Sequence, residues 1–189
     1  MSAQDSKLFV ISGPSGAGKG TLVTRVRERR SNLGLTVSAT TRAPRKGEVD
    51  GVNYFFLTRE EFDRRVANGE FVEWAEVHGN CYGTLVSAVT SKLASGASLI
   101  LEIDVQGALQ VKERFPEAVL IVIKPPSLEV LRERLVGRGT ETPETIELRM
   151  ANAADELALA DRYDDVVVND DLDRATDELV RVLDMHERI

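Results

Sequence analysis

Residues 13–19 combine three glycines and a lysine at a spacing that suits phosphate binding. The segment reads Gly-Pro-Ser-Gly-Ala-Gly-Lys and lies between an apolar run at residues 8–11 and a helical pattern that begins near Lys19. Glycines let main-chain N–H groups turn inward around phosphate oxygens, and the start of the helix adds the positive end of its dipole. This context predicts a P-loop rather than an ordinary glycine-rich turn. We assign the binding of a nucleoside triphosphate such as ATP to Gly13, Pro14, Ser15, Gly16, Ala17, Gly18, Lys19, Gly20 and Thr21.

The position after the P-loop lysine carries no hydroxyl group, which affects how a metal ion would be held. Gly20 replaces the usual Ser or Thr, and Thr21 follows it. We therefore expect Mg²⁺ to be held by waters, phosphate oxygens and Thr21. Asp104 ends the apolar run at residues 99–104, where a Walker-B carboxylate would orient the metal or its waters. Glu102 lies two residues earlier on the same face. The alternative is that both acids simply leave the strand into solvent.

A second group of residues suits a phosphate monoester. Arg42 and Arg45 lie three residues apart, and Tyr54 follows. Guanidinium groups bind a dianionic phosphate through directional hydrogen bonds, and a phenol adds a donor. Glu73 could accept from the two adjacent donors of guanine, its N1–H and its N2 amine. On residue chemistry alone, solvation at the surface explains Glu73 better.

Strand-like and helical segments alternate along most of the chain, which predicts an α/β fold. A parallel sheet covered by helices on both faces accounts for buried apolar runs separated by helices. The predicted strands are residues 8–11, 99–104, 118–123 and 166–168. The predicted helices are residues 107–114, 128–135, 143–159 and 172–185.

Two segments differ from this alternation and divide the predicted single domain. Residues from about 37 to 88 are predicted to form a β-rich insert, with strand-like segments at 54–57 and 70–77 on either side of a helical pattern at 59–67. Residues from about 126 to 157 are predicted to form a helical lid, because arginines cluster there and two glycines flank Arg138. The core would then comprise about 1–36, 89–125 and 158–189.

Composition excludes several classes of partner. The 189 residues carry a net charge of −7, which argues against nucleic acid or an anionic membrane as the main partner. Cys81 is the only cysteine, so no internal disulfide can form. The first residues lack the features of a signal peptide, and the apolar runs are too short to cross a bilayer. These features predict a cytoplasmic protein, either a monomer or a homo-oligomer.

Several of these segments resemble the guanylate kinase family. Residues 38–51, 70–74 and 82–84 look like the acceptor-site signature of that family, and residues 103–107, 137–141 and 168–171 are similar to further family segments. The resemblance covers nearly the whole chain in the family's order and spacing. It implies the P-loop fold of nucleoside monophosphate kinases. It also implies transfer of the γ-phosphoryl of ATP to GMP with Mg²⁺, giving ADP and GDP, in purine nucleotide metabolism.

The resemblance also implies roles for individual residues. The GMP phosphate would be held by Arg42, Arg45, Tyr54 and Tyr82. The guanine would be recognised by Ser38, Glu73 and Thr84, with Glu102 close by. The transferred phosphoryl would meet Lys19, Arg134, Arg138 and Arg149, and adenine would lie near Asn169. The family often has Ser where this chain has Thr84, and many members have Asp where it has Glu102.

Two other functions are compatible with the sequence. One is a kinase of the same fold with another phosphorylated acceptor, such as AMP or a sugar phosphate. The other is a non-catalytic binding module, since guanylate-kinase-like domains also act as protein-interaction scaffolds. Such modules tend to lose the P-loop, whereas Gly18, Lys19 and Asp104 are all present here.

Overall fold

The computed structural model describes residues 6–77, 79–137, 139 and 142–188. In chain order, the strands are β1 (Leu8–Ser12), β2 (Gly34–Leu35), β3 (Ala39–Thr40), β4 (Phe55–Phe56), β5 (Phe71–Val77), β6 (Asn80–Leu85), β7 (Leu99–Glu102), β8 (Val119–Lys124) and β9 (Asp165–Val168). The helices are α1 (Lys19–Arg29), α2 (Arg59–Ala67), α3 (Val86–Ala94), α4 (Val105–Arg114), α5 (Leu128–Gly137), α6 (Pro143–Ala158) and α7 (Leu172–Glu187). A short 3₁₀-helix, Ala160–Arg162, precedes β9.

A five-stranded parallel sheet in the order β2-β7-β1-β8-β9 forms the centre of the molecule. Successive residues of its strands point to opposite faces and bury two hydrophobic clusters. Phe9 and Ile11 belong to one cluster, together with Leu179 of α7. Val10 belongs to the other, together with Val105 of α4. The α/β fold with helices on both faces of a parallel sheet is confirmed.

The strand that carries the two predicted metal-site acids ends earlier than expected. The apolar run at residues 99–104 predicted that Asp104 would end the strand, but β7 ends at Glu102. Asp104 instead lies immediately before α4 and caps it, because its Oδ1 accepts a hydrogen bond of 2.7 Å from the N–H of Gly107. Asp104 therefore belongs to the start of α4 and not to the strand that carries Glu102.

A second, four-stranded sheet in the order β4-β3-β6-β5 lies in the segment predicted as the β-rich insert. β5 and β6 form an antiparallel hairpin, and α2 packs on it through Phe62 against Phe71. The predicted strands at 54–57 and 70–77 and the predicted helix at 59–67 correspond to β4, β5 and α2. Strands β3 and β6 were not predicted, and α3 extends across the predicted end of the insert. The division into core, insert and lid stays a prediction.

The segment predicted as the lid contains α5 and α6. These helices pack on each other through Leu131, Leu135, Ile146 and Ala153. Thr142 caps α6 and Pro143 occupies its first turn, which defines where this helix begins. Across the described ranges, no helix is long and apolar enough to cross a membrane.

Candidate active site

The P-loop joins β1 to α1 in a conformation that only glycine adopts easily. Gly13, Gly16 and Gly18 have φ values of 139°, 92° and 91°. A Cβ atom on Gly13 would also lie 2.2 Å from the main-chain oxygen of Ile123 on β8. Gly18 is the N-cap residue of α1 and has no side chain with which to cap it. The first N–H groups of α1 are therefore left to an anionic ligand.

A cavity opens over this loop. Its wall comprises Ser15, Gly16, Gly18, Lys19, Gly20, Thr21 and Glu102. The Lys19 ammonium group donates to the main-chain oxygens of Gly13 and of Pro14, the latter at 3.2 Å, so the side chain lies over its own loop. The cavity thus combines main-chain N–H groups with a cation, which is the arrangement that a polyphosphate requires.

Two of the three predicted lid arginines contact this loop or the residue behind it. Arg149 of α6 donates from Nη1 to the Ser15 hydroxyl at 2.6 Å. Arg134 of α5 donates from Nη2 to the main-chain oxygen of Asn169 at 2.8 Å. Arg138 lies outside the described residues. Arg149 therefore brings positive charge from the predicted lid to a residue of the cavity wall, and Arg134 brings it to the residue behind the loop.

Asn169, predicted to lie near adenine, is buried behind the P-loop. It directly follows β9, and its side-chain Nδ2 donates to the main-chain oxygen of Ala17 at 2.8 Å. Glu156 of α6 was not predicted as a site residue. Burial raises the pKa of its carboxyl group, and the charge of Lys19 opposes that shift. No sequence pattern distinguishes Glu156 from the other acids of α6.

Glu102, rather than Asp104, lies in the wall of the phosphate cavity. A Cβ atom on Gly20 would lie 3.5 Å from Glu102 Oε1, so the carboxylate lies against the position where the usual P-loop hydroxyl is missing. The Glu102 carboxylate and the Thr21 hydroxyl are oxygen donors of the kind that Mg²⁺ prefers. The described residues contain no group of three or more His, Cys, Asp or Glu that could hold a metal by themselves.

A larger cavity of about 540 Å³ lies on the other side of Glu102. Six of the predicted acceptor residues line it: Ser38, Tyr54, Glu73, Tyr82, Thr84 and Glu102. Sequence reasoning missed Thr24 and Arg27 of α1, which also line it. Their spacing from Gly20, at four and seven residues, places all three on one face of the helix, and this signal could have identified them.

Glu73 lies inside this cavity and opposite Thr84. The two residues are paired across the β5–β6 hairpin, and Thr84 is only 3% exposed. Burial raises the pKa of the Glu73 carboxyl group, hydrogen bonds from Thr84 lower it, and the charge of Asp104 raises it. A partly desolvated carboxylate beside a hydroxyl can recognise a base edge that presents adjacent N–H donors.

Arg42 lies beside the cavity in contact with its aromatic wall. Its guanidinium carbon is 5.5 Å from the ring centre of Tyr54, and that ring meets the Tyr82 ring edge-on at 6.2 Å. Arg42 Nη2 donates to Glu48 Oε1 at 2.8 Å, while Glu48 Oε2 accepts from the main-chain N–H of Arg45 at 2.6 Å. The hydrogen bond from Arg42 holds the pKa of the Glu48 carboxyl below its ordinary value. The Arg45 side chain is exposed.

Residues 5–186 match the family model described as guanylate kinase. The chain belongs to the guanylate kinase family. A guanylate kinase of Gloeobacter violaceus is 56% identical to it over 178 residues, which cover 94% of this chain and 87% of that protein. A guanylate kinase of Halalkalibacterium halodurans is 51% identical over 97% of this chain and 90% of that protein. The crystal structure of guanylate kinase from Anaplasma phagocytophilum superposes with a TM-score of 0.72 at 36% identity, covering 97% of this chain and 87% of that one.

Proposed function

We propose that this chain transfers the γ-phosphoryl of ATP to GMP, giving ADP and GDP. The observation that carries the proposal is the position of Glu102, which lines both the P-loop cavity and the cavity that contains Glu73. Two ligand sites with different chemistry thus adjoin at one side chain. Relatives named guanylate kinase align over nearly the whole chain, which supports the same assignment.

ATP binds at the P-loop in this proposal. Main-chain N–H groups of the loop and of the first turn of α1 surround its phosphates, and Lys19 provides a positive charge at the outer phosphates. Arg149 lies within hydrogen-bonding distance of this loop, and Arg134 lies on the residue behind it. Arg138 and Asn169 complete the predicted donor site.

GMP binds in the larger cavity. Of the residues that line it, Glu73, Thr84 and Ser38 would face the guanine, and Tyr54 and Tyr82 would face the phosphate. Arg42 and Arg45 would reach the phosphate from beside the cavity. Guanine presents N1–H and the N2 amine to the Glu73 carboxylate. Adenine presents a lone pair at N1 and no amine at C2, so AMP would lose two hydrogen bonds and meet a negative charge.

No covalent intermediate on the protein is needed for this reaction. The protein positions two anions in line, and Lys19, Arg134 and Arg149 stabilise the charge that spreads over the transferred group. Closure of the predicted insert and lid would exclude water, since a site that admits water hydrolyses ATP. Glu102, Thr21 and Asp104 are the residues that would hold Mg²⁺ or its waters, and the bound ion would neutralise charge on the ATP phosphates.

The same residues bear on the two other functions. A binding module has no need for glycines at positive φ, a lysine over the loop and an arginine that bonds to the loop from a separate helix. A kinase for another acceptor would not need Glu73 and Thr84 paired inside the acceptor cavity.

We therefore propose ATP and GMP as the small-molecule partners, without nucleic acid or membrane. A cytoplasmic location is part of the proposal and agrees with a single cysteine.

An acceptor comparison tests this function directly. ADP release is measured by a coupled assay with ATP and Mg²⁺ in the presence of GMP, AMP, CMP or UMP, each at the same concentration. We expect GMP to be turned over and the other three monophosphates to be rejected by ~10⁴-fold or more in kcat/KM. Comparable turnover of AMP would identify a kinase with another acceptor, and no turnover of any monophosphate would favour the binding module.

A further inference from the structure

Asn169 connects three segments of the protein, one of which is the P-loop. Its main-chain N–H donates to the oxygen of Lys124 on β8 at 2.8 Å. Its side-chain Nδ2 donates to the oxygen of Ala17 in the P-loop at 2.8 Å, and its own main-chain oxygen accepts from Arg134 of α5 at 2.8 Å. One residue therefore ties the sheet to the P-loop and to the predicted lid.

The side chain of Asn169 lies behind the P-loop. Asn169 is 6% exposed and Ala17 is fully buried, and the cavity wall comprises the loop residues on either side of Ala17. A Cβ atom on Gly18 would lie 2.3 Å from Asn169 Nδ2, so the amide could not approach this closely if position 18 carried a side chain. The amide thus holds the peptide unit between Ala17 and Gly18, directly before the N–H groups that begin α1.

We propose that Asn169 is a positioning residue for triphosphate binding. Its side-chain amide holds the P-loop main chain, and its main-chain oxygen accepts from the Arg134 guanidinium of the predicted lid. The inference rests on the proposed role of the P-loop as the ATP site. It differs from a contact between Asn169 and adenine, because a brace behind the loop acts on any ligand that carries the phosphates, with or without a base.

Inorganic tripolyphosphate tests this inference, since it carries the phosphates of ATP without base or ribose. Its inhibition constant against ATP is measured for the wild type, for Asn169→Ala and for Asp170→Ala, together with KM for ATP and for GMP. Asn169→Ala should weaken the binding of tripolyphosphate and of ATP by the same factor, about three- to tenfold, as expected for the loss of one buried hydrogen bond. KM for GMP should not change.

Asp170→Ala is the matched control. Asp170 is the next residue, is exposed and pairs with Arg174. Its carboxylate accepts hydrogen bonds from Arg174 and from the main-chain N–H of Asp171, not from the loop. Removal of its negative charge acts in the opposite direction to the expected effect. In this variant the inhibition constant of tripolyphosphate and KM for ATP should both stay within about twofold of the wild type, a change of less than 0.5 kcal/mol.

Three results would overturn the inference. If Asn169→Ala weakens ATP but not tripolyphosphate, the side chain acts on the base and not on the loop. If the variant melts at a lower temperature but binds both ligands normally well below that temperature, the amide serves stability alone. If the wild type does not bind tripolyphosphate at all, the proposed ATP site is wrong and this inference fails with it. Should Asn169→Ala not fold, Asn169→Ser, which keeps a shorter donor, is measured in the same way.

Discussion

The two sides of the candidate active site are built in different ways. The phosphate cavity is lined by residues of one short segment, 15–21, together with Glu102. The acceptor cavity is lined by residues of α1, the segment from Leu35 to Ser38, both strands of the β5–β6 hairpin, Tyr54 and β7. Nearly all residues of the first therefore lie in one local motif between a strand and a helix. The second exists only after distant segments have packed.

The two sides also differ in what they offer an anion before it binds. Gly18 is the N-cap residue of α1, so the first N–H groups of this helix have no capping side chain, whereas a capping Thr or Asp precedes each of α2, α4, α6 and α7. The acceptor side offers a guanidinium group that is already paired, since Arg42 bonds to Glu48. The donor side therefore depends on main-chain geometry, and the acceptor side depends on side-chain identity.

The largest expected effect comes from removing the donor-side cation. Lys19→Ala should lower kcat by ~10³-fold or more, because the outer phosphates lose their point charge. The measurement is kcat and KM for ATP in the coupled ADP assay. Lys92→Ala, on the exposed surface of α3, removes the same charge elsewhere and should have no effect. Near-native turnover of Lys19→Ala with normal ATP affinity would refute the P-loop assignment.

On the acceptor side, Glu73→Gln should lower kcat/KM for GMP by at least about a hundredfold. The substitution is close to isosteric, but it removes the charge and turns one acceptor into a donor, and charge-assisted hydrogen bonds contribute roughly 1.5–3 kcal/mol each. KM for ATP should barely change, and the ratio of kcat/KM for GMP to kcat/KM for AMP should become smaller.

Glu76→Gln is the matched control for this prediction. Glu76 lies on the same strand, is exposed and pairs with Arg59. The same chemical change there should leave GMP turnover within about twofold, since exposed ion pairs contribute little. If Glu73→Gln also keeps its GMP efficiency within a few-fold and still rejects AMP, Glu73 does not recognise the base.

An intermediate effect is expected at Glu102, the side chain that both cavities share. Glu102→Gln should raise the Mg²⁺ concentration required for half-maximal activity by about tenfold, because a neutral amide is a weaker partner for the ion and its waters. Asp104→Asn is also expected to lower kcat and to raise this concentration, and the variant keeps the cap of α4, since Asn caps helices as well as Asp does. Magnesium titrations of both variants decide which carboxylate matters more. An unchanged titration in Glu102→Gln would remove that residue from the metal site.

The smallest effect concerns stability and its dependence on pH. Because burial raises the pKa of Glu73 above 4.5, its ordinary value, the folded protein binds this proton more tightly than the unfolded chain does. The charged carboxylate therefore costs stability at neutral pH, and Glu73→Gln should raise Tm by on the order of a few degrees. The difference should shrink as pH falls through the raised pKa and vanish below 4.5. A difference independent of pH would show that packing, not charge, causes it.

The sequence predicted the parts of the fold that depend on local pattern. Strands β1, β8 and β9 and helix α2 follow from apolar runs and from helical periodicity, and the P-loop follows from its glycines. The parallel sheet, and the guanylate kinase family to which the chain belongs, are confirmed. The roles of the individual site residues stay predictions.

The remaining features depend on tertiary contacts that no local pattern contains. Strand β3 has only two residues, Ala39 and Thr40, and is defined by its pairing with β4 and β6. β7 ends at Glu102, and Asp104 caps α4 instead of continuing the strand. A carboxylate after an apolar run can either end a strand or cap the next helix, and the local pattern does not distinguish the two. The burial of Asn169 behind the P-loop arises because β9 lies next to β8 at the edge of the sheet.

The pairing of Arg42 with Glu48 has a consequence for the thermodynamics of ligand binding. A long side chain that becomes ordered in a complex loses roughly 0.5–1.5 kcal/mol of conformational entropy. The Arg42 guanidinium already bonds to Glu48 and to the oxygen of Ala43, so most of that loss occurs when the protein folds. The exposed Arg45 side chain would lose its rotational freedom only when a phosphate arrives. The two arginines carry the same charge, but the conformational entropy lost on binding a phosphate should come mainly from Arg45. Calorimetry should detect this difference in the entropy of binding.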